Sequence, residues 1–379
     1  MSTMIEFITW SLLIMSKILI VTNHSYMLYR FREELIRELC REHEVVLSMP
    51  FVGHEEDFLA MGIRCIPTQM ERRRIRLREE WKLLSEYRAL LRREKPDLVI
   101  TYSIKPNIYA GLACSLAGIP YCANVQGLGT AFHRRGLSAL VTVLYRMGLA
   151  GARTVFFENQ SDAQVFLDRG ILPKCRIRVL PGAGVNLERC PCLPYPDNRT
   201  VRFLYLGRIM KEKGVPELFT AFRQLHRELG GGVVLDLVGF YEDEECLREA
   251  HALVREGIAV DHGFQPDPIP FYAQADCLVL PSHHEGMSNV LLEASAVGRP
   301  AITCDVSGCR EAVEPEVTGF LCRPLDPQDL LHQLRRMAAL PRQTRAEMGR
   351  RARARMEQRF DRRAVVHSTM DALFPGEPL

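Results

Sequence analysis

The chain has 379 residues, of which 47% are hydrophobic and 25% charged, and its formal net charge is +3. This length exceeds what one hydrophobic core usually supports, so two domains are expected, and the composition excludes collagen-like, low-complexity and disordered proteins. The twelve cysteines are scattered without zinc-binding spacing, which favours reduced thiols in the cytoplasm over a disulfide scaffold.

The first residues form a short apolar run from Phe7 to Met15. This run is too short to span a bilayer and has no basic leader before it. We expect residues 1–15 to add no structure to the first domain, and a membrane-contacting segment is the alternative.

The first half alternates β-branched runs with helical stretches. Strands are predicted at 18–22, 44–49, 97–102 and 154–159, and helices at 29–41, 79–94 and 106–117. Continuous apolar strands are typical of a parallel sheet that is buried on both faces. The pattern therefore predicts an N-terminal Rossmann-like domain over residues 16–185.

A proline- and glycine-rich loop at 180–200 precedes a second series of the same kind. Its strands are predicted at 202–207, 233–239, 277–282 and 300–305, and its helices at 215–229, 243–255, 288–297 and 327–338. We predict a second Rossmann-like domain over 186–355 and a C-terminal helix within 356–379 that returns to the first domain. Ligands of doubly wound sheets bind beyond the carboxyl ends of the strands, so a cleft between the two domains is the expected site.

Charge is divided unevenly between the two halves. Residues 1–190 carry 26 Lys and Arg against 19 Asp and Glu, a net of +7, and the remainder carries 23 against 27, a net of −4. A basic half suits an anionic membrane or a phosphate-bearing acceptor. Because the sequence contains no recognisable nucleic-acid-binding module, nucleic acid is not an expected partner.

The strongest motif is PSHHEGMSNVLLEASAVGRP at 281–300. Glu285 lies on a loop directly after a strand, and Glu293 follows eight residues later inside a helix. If a sugar nucleotide binds beside this helix, Glu293 can accept hydrogen bonds from its ribose hydroxyls, and Glu285, nearer the strand end, would reach its sugar. Solvated glutamates on an ordinary packing helix are the alternative.

The same motif contains the start of a helix. Ser288 is a good N-cap, and it leaves the first helical amides without partners inside the helix. Such a helix end attracts phosphate. The amides concerned are those of Asn289, Val290 and Leu291.

A second motif, GRIMKEKG at 207–214, follows another strand and begins with Gly207. Arg208 and Lys213 place two cations where this strand ends, and two cations suit a diphosphate leaving group. Ordinary surface charge is the alternative.

Together these motifs resemble the family 4 glycosyltransferases, which have the GT-B fold of two Rossmann-like domains. The resemblance covers nearly the whole chain from Lys17, and it also includes DLVG at 236–239, GFQPDPIPFYAQAD at 263–276 and TGFLCRPLDPQDL at 318–330. It implies that Glu285, Arg208 and Lys213 act on the sugar and diphosphate of a UDP-sugar, and that Glu293 binds the ribose.

The resemblance further implies that Gly263 and Phe264 frame the uracil base and that transfer retains the anomeric configuration. It also implies that no metal is obligatory, and the sequence contains no D-x-D element that would hold one. The leaving phosphate would take the acceptor proton.

The acceptor side departs from common family patterns. The loop at 22–32 has no glycine, and TYSIKPN at 101–107 has no histidine after its strand. A small-residue loop at 125–132 could admit a ligand, although a simple turn is equally consistent with it. The residues expected to line the acceptor site are Arg30, Tyr102, Lys105, Asn107, Gly129 and Thr130.

LYRFR, IKPNIYAG and GLGTAF resemble the subgroup that extends sugars on polyprenyl diphosphate in surface polysaccharide assembly. The basic run at 71–95, which includes Trp81, Leu83, Leu84, Leu90 and Leu91, could lie against an anionic leaflet, although basic solvated helices are common. The expected protein is a cytoplasmic enzyme that is peripheral on the inner face of the plasma membrane. The alternatives are a non-hydrolysing UDP-sugar epimerase, a glycosyltransferase with a soluble acceptor, and a non-catalytic sugar-nucleotide-binding protein.

Overall fold

A computed structural model describes residues 15–70, 77–129, 132, 137–172 and 176–375. The chain divides into two compact units. Unit 1 runs to Leu180 and also takes the C-terminal residues from Ser368, whereas unit 2 is Pro181–His367. The sequence prediction placed these two limits at residues 185 and 356.

Unit 1 is an α/β unit built on one parallel sheet. Its strands are β1 Lys17–Val21, β2 Glu44–Met49, β3 Arg64–Pro67, β4 Leu98–Tyr102, β5 Tyr121–Val125, β6 Thr154–Phe157 and β7 Arg176–Val179. Its helices are α1 Ser25–Glu42, α2 Glu55–Ala60, α3 Leu77–Glu94, α4 Gly111–Ala117, α5 Leu137–Leu149 and α6 Gln160–Asp168, with a π-helical turn at Pro106–Ala110. The strand order is β3-β2-β1-β4-β5-β6-β7.

This order reverses direction beside β1, which pairs in parallel with β2 on one side and with β4 on the other. The central strands are buried along their length, as the apolar runs predict; every residue of β4 is buried. The C-terminal residues also join this unit, where the Phe374 ring stacks on His43 with centroids 4.7 Å apart.

Unit 2 repeats the architecture. Its strands are β8 Val201–Leu206, β9 Val233–Val238, β10 Ala259–Asp261, β11 Cys277–Leu280, β12 Ala301–Cys304 and β13 Gly319–Cys322. Its helices are α7 Val215–Leu229, α8 Glu244–Arg255, α9 Ile269–Gln274, α10 Asn289–Ala296, α11 Pro327–Ala339, α12 Arg342–Arg359 and α13 Arg362–Leu373, of which α13 ends beyond His367. The strand order is β10-β9-β8-β11-β12-β13, and all pairs are parallel.

Helix α7 shows why the sequence forms these elements. Pro216 suits the first turn, and Leu218, Phe222 and Leu225 recur at helical spacing on one face, where all three are fully buried. Burial of each such side chain contributes about 1.5–3 kcal/mol. The helix ends at Gly230, whose φ of +56° is unfavourable for other residues.

The predicted fold class, two doubly wound parallel-sheet α/β domains, is confirmed. Strand 44–49 and helix 215–229 match at both ends. Within the described residues, no helix combines the length and the apolar character needed to cross a bilayer.

Candidate functional site

The candidate site of unit 2 lies where its strand order reverses. Strand β8 has β9 on one side and β11 on the other, so the loops after β8 and β11 leave the sheet side by side. The first of these loops carries the GRIMKEKG motif, and the second carries Glu285. A reversal of this kind is where doubly wound sheets bind their ligands.

The two loops are joined by an ion pair between residues that the sequence singled out. Lys213 Nζ lies 2.5 Å from Glu285 Oε1, and both side chains are largely buried, at 16% and 15% exposure. The Ser282 hydroxyl donates a hydrogen bond to the same carboxylate oxygen at 2.8 Å. The pair therefore holds a cation and a carboxylate in fixed positions at the strand ends.

Two glycines allow neighbouring loops to lie close to the segment 281–285 that carries Glu285. Gly214 has a φ of +69°, and a Cβ on it would lie 1.9 Å from the carbonyl oxygen of Pro281. A Cβ on Gly308, in the loop after β12, would lie 2.6 Å from the carbonyl oxygen of Glu285. Since real side chains cannot occupy either space, both positions require glycine.

Arg208, at the end of β8, pairs with a carboxylate that follows the neighbouring strand. Its guanidinium lies 3.4 Å from Glu242, which follows β9, and its side chain is 44% exposed. The buried Tyr205 hydroxyl donates to the Arg208 carbonyl oxygen at 2.6 Å. Burial and the nearby Glu285 charge raise the pKa of Tyr205 well above its usual value, so this hydroxyl stays protonated. Arg208 is thus fixed at the backbone while its side chain remains accessible.

Helix α10 begins as the sequence predicts, with Ser288 as its N-cap. The Ser288 side chain accepts a hydrogen bond from the Leu291 amide at 3.4 Å. The Leu291 amide is therefore used by the cap, and Leu291 is also fully buried. Of the three amides predicted to bind phosphate, those of Asn289 and Val290 have no such cap bond. Both residues are partly exposed, and Asn289 Oδ1 is buried without a hydrogen-bond partner among the described residues.

Glu293 lies one turn further along α10 and is 7% exposed. The Tyr272 hydroxyl, from α9, donates to its Oε2 atom at 3.1 Å. Tyr272 is itself completely buried, so it fixes the position of the carboxylate. Sequence reasoning missed Tyr272, because its contact with Glu293 spans 21 residues.

Gly263 and Phe264, which were assigned to the nucleotide base, follow β10, and the donor-site residue Gly207 follows β8 of the same sheet. Gly207 donates its amide to the Val238 carbonyl at 2.9 Å, and Gly239 donates to the Gly263 carbonyl at 2.8 Å. Phe264, the next residue, is 54% exposed. Phe264 therefore offers an open aromatic surface.

The residues predicted to line the acceptor site belong to unit 1, and the structure separates them into a partly exposed group and a buried group. Lys105 Nζ lies 2.6 Å from Glu80 Oε1, and Arg30 is partly exposed on α1. Gly129 has a φ of +70° after β5. Thr130 lies outside the described residues.

Tyr102 and Asn107 form the second group, which is buried. Asn107 Oδ1 accepts a hydrogen bond from the Thr101 hydroxyl at 2.7 Å, and Asn107 Nδ2 donates to the Asn124 backbone carbonyl at 2.8 Å. The Tyr102 ring is covered by the Arg32 guanidinium at 5.5 Å, and burial raises the pKa of its hydroxyl. These contacts give both side chains a role in packing the sheet.

Comparisons with known proteins agree with this arrangement. The family model for glycosyl transferases group 1 matches residues 196–355, and the model for Glycosyltransferase Family 4 matches residues 28–189.

Two relatives resemble most of the chain. An N,N'-diacetylbacillosaminyl-diphospho-undecaprenol α-1,3-N-acetylgalactosaminyltransferase from Campylobacter jejuni is 24% identical over 81% of this chain and 85% of its own length. A UDP-Gal:α-D-GlcNAc-diphosphoundecaprenol α-1,3-galactosyltransferase from Escherichia coli is 26% identical over 75% of this chain and 77% of its own length.

The fold is also found in solved structures. HepE from Anabaena, crystallised with UDP and glucose, superposes with a TM-score of 0.77 at 18% identity, covering 94% of this chain and 99% of its own. A sucrose-phosphate synthase from Thermosynechococcus elongatus gives a TM-score of 0.74 at 19% identity, covering 93% and 97%.

Proposed function

The chain belongs to the family 4 glycosyltransferases of the GT-B fold, and we propose that it uses a UDP-sugar to extend a saccharide carried on polyprenyl diphosphate, with retention of anomeric configuration. The donor sugar is an N-acetylhexosamine, a hexose or a uronic acid, and the product enters surface polysaccharide or glycan assembly. The observation that carries the proposal is the Lys213–Glu285 pair at the strand reversal of unit 2.

The chemistry of the donor site follows from charge. Departure of UDP from the sugar builds negative charge on the diphosphate, and fixed cations and amides stabilise that charge most strongly in the transition state. Lys213, Arg208 and the Asn289 and Val290 amides supply these groups, and we propose that they act without an obligatory metal. Glu285 orients Lys213 and accepts a hydrogen bond from a hydroxyl group of the donor sugar.

The choice of acceptor is supported by the relatives. The Campylobacter jejuni and Escherichia coli enzymes both act on sugars linked to diphosphoundecaprenol, and this chain spans most of the length of each. We therefore propose an acceptor of the same chemical class for this protein.

A screen of UDP-sugars against undecaprenyl-diphosphate monosaccharides tests the proposal. UDP release and a product heavier by one sugar are expected, with an α linkage formed from an α-linked donor and with activity retained in EDTA. Transfer only to soluble sugars would contradict the acceptor assignment. An epimerised UDP-sugar formed without acceptor would instead identify an epimerase.

Replacement of Glu293 should weaken UDP binding. A carboxylate that accepts hydrogen bonds from ribose hydroxyls contributes about 1.5–3 kcal/mol, so Glu293→Ala should raise the Kd for UDP about 10- to 100-fold in calorimetry. The variant should also lose the preference of the wild type for UDP over 2'-deoxy-UDP, which a merely structural role would leave in place. Glu244→Ala, at a side chain that is 95% exposed, is the control. An unchanged Kd would contradict the ribose assignment.

The outer face of α3 supports a peripheral membrane contact, but through its basic residues and Trp81 and without the leucines of the predicted basic run. Leu83, Leu84, Leu90 and Leu91 pack in the core of unit 1 and are not available to a lipid surface. The exposed face instead carries basic residues around Trp81, whose side chain is 71% exposed. We propose that this basic face, formed by Arg78, Trp81, Lys82, Arg88 and Arg92, rests on an anionic leaflet.

Charge reversal on this basic face should release the protein from anionic vesicles. Basic residues near such a surface contribute about 1 kcal/mol each, so Arg88→Glu with Arg92→Glu should lower partitioning onto phosphatidylglycerol vesicles at least about 30-fold. Arg248→Glu with Arg350→Glu, in unit 2, makes the same change in net charge at exposed sites. Equal loss in both double variants would contradict a specific face. The basic residues Arg72, Arg73, Arg74 and Arg76 lie outside the described residues.

A further inference from the structure

Four consecutive acidic residues, at 242–245, lie where β9 is followed by α8 in unit 2. The helix explains three of them. Asp243 is the N-cap of α8 and accepts hydrogen bonds from two amides of the first turn, and Glu244 and Glu245 lie in that turn, where the helix dipole favours carboxylates. Glu242 precedes the cap, so its carboxylate requires another explanation.

The Glu242 carboxylate lies beside Arg208. One guanidinium nitrogen of Arg208 is 3.4 Å from each of its two oxygens. The backbone fixes this placement, because the Ile209 amide donates to the Phe240 carbonyl at 2.9 Å and the Ile209 carbonyl accepts from the Glu242 amide at 3.1 Å. The segments after β8 and β9 therefore continue side by side, and they bring a carboxylate to a cation that the proposed function assigns to the diphosphate.

This ion pair is looser than the pair between Lys213 and Glu285. Those two side chains are largely buried and lie 2.5 Å apart, and Ser282 donates to the same carboxylate. The Arg208 side chain is instead 44% exposed, and its contacts with Glu242 are long. An exposed pair of this kind contributes little free energy, so a stronger anion displaces the carboxylate readily. A diphosphate is such an anion, because arginine binds phosphate oxygens through strong charge-assisted hydrogen bonds.

We propose that Glu242 is the counter-ion of Arg208 in the empty donor site, that the donor diphosphate displaces it, and that the pair forms again as UDP leaves. Beside bound UDP the displaced carboxylate repels the diphosphate, so Glu242 lowers the affinity for the product and favours its release. Product release limits turnover in many enzymes, and a carboxylate that weakens product binding shortens that step. This inference rests on the proposed function, because it takes a UDP-sugar to be the ligand of unit 2.

The variant Glu242→Gln removes the charge and keeps the shape of the side chain. Its Kd for UDP in calorimetry should fall about 3- to 10-fold at low salt, as expected for the loss of one weak ion pair and of one like charge near the ligand. The difference from the wild type should shrink as the salt concentration rises, because salt screens the repulsion at this partly exposed site. Inhibition of sugar transfer by added UDP should become correspondingly stronger, and the thermal midpoint should stay near that of the wild type.

Glu245→Gln is the matched control. It removes the same charge three residues away, from a carboxylate that pairs with Lys211, and both of those side chains are more than half exposed. Its Kd for UDP should stay near the wild-type value. The variant Arg208→Gln supplies a second arm and should weaken UDP binding. In that background Glu242→Gln should change the Kd less than it does in the wild type, because no cation remains to be released.

Failure of the counter-ion role is distinguishable from failure of the proposed function. If the wild type binds UDP and transfers sugar, the role is overturned when Glu242→Gln binds UDP no more tightly than Glu245→Gln does, or when its effect is undiminished without Arg208. Weaker UDP binding in Glu242→Gln would identify the carboxylate as a group that positions Arg208, which also overturns the role. If the wild type binds no UDP, the proposed function is overturned and the counter-ion role falls with it.

Discussion

Replacing Lys213 with alanine should lower kcat for sugar transfer about 100- to 1,000-fold in a protein that still folds. The Lys213 ammonium is largely buried at the strand reversal of unit 2 and is held there by Glu285 and the loop around Gly214. A fixed group that stabilises charge developing on the leaving group contributes about 2.7–4 kcal/mol in the transition state. UDP release in the presence of donor and acceptor measures the loss.

Lys211→Ala is the matched control, since Lys211 lies in the same 3-10 turn only two residues earlier. Its ammonium pairs with Glu245, and both side chains are more than half exposed. Exposed pairs of this kind contribute little, so turnover and stability should stay close to the wild type. Equal activity in the two alanine variants would remove Lys213 from the chemistry.

Glu285→Ala completes the comparison. Loss of the carboxylate leaves Lys213 without its ion-pair partner and removes the oxygen that accepts a hydrogen bond from a hydroxyl of the donor sugar. We therefore expect kcat to fall while UDP affinity is largely kept. A protein that only binds sugar nucleotides would show no turnover in the wild type or in any variant, and this result would distinguish it from an enzyme.

The parts of the site that the sequence predicted are those set by strand ends. Glu285 and Lys213 were recognised because each follows an apolar strand, and parallel strands bring their carboxyl ends to one edge. The contacts that it did not predict depend on side-chain direction across the fold. Tyr272 reaches Glu293 from another helix, and Arg208 pairs with Glu242 beyond β9.

The fold shows the same division. The strands with continuous apolar runs were located to within one or two residues, whereas short edge strands such as β3 and β10 have three or four residues and no such run. The central strand β5 was also missed, because Asn124 interrupts its apolar run, although every residue of it is buried. For the basic run at 71–95, the prediction that it could lie against a leaflet did not separate Trp81 from the four leucines, although the helical spacing of the leucines also fits a core-facing stripe. Burial in unit 1 decides in favour of the core.

The largest effect on stability is expected at Arg299, a residue that follows α10 and is only 1% exposed. The nitrogens of its guanidinium lie 2.7–3.3 Å from six backbone carbonyl oxygens, so its five N–H groups include at least one shared hydrogen bond, and it has no carboxylate partner in the described structure. The carbonyls belong to Leu193, Pro194, Tyr272, Ala273, Val297 and Gly298. One side chain thus joins the segment before β8 to α9 and to the end of α10, where a cation is favoured by the helix dipole.

Arg299→Met should therefore lower the free energy of unfolding by about 4 kcal/mol and the thermal midpoint by about 10 °C. The substitution keeps a long apolar side chain but removes the donors to all six carbonyls. The carbonyls of Tyr272 and Val297 keep backbone partners in Ala275 and Leu193, and the other four must find water or go unpaired. Burial lowers the pKa of Arg299, but the ordinary pKa of arginine lies so far above neutral pH that the guanidinium remains charged. A lysine could not reproduce its planar set of donors. Arg335→Met removes an exposed pair with Glu228 and should shift the midpoint by no more than about 2 °C. If both methionine variants unfold at the wild-type temperature, the carbonyls at Arg299 are satisfied without it.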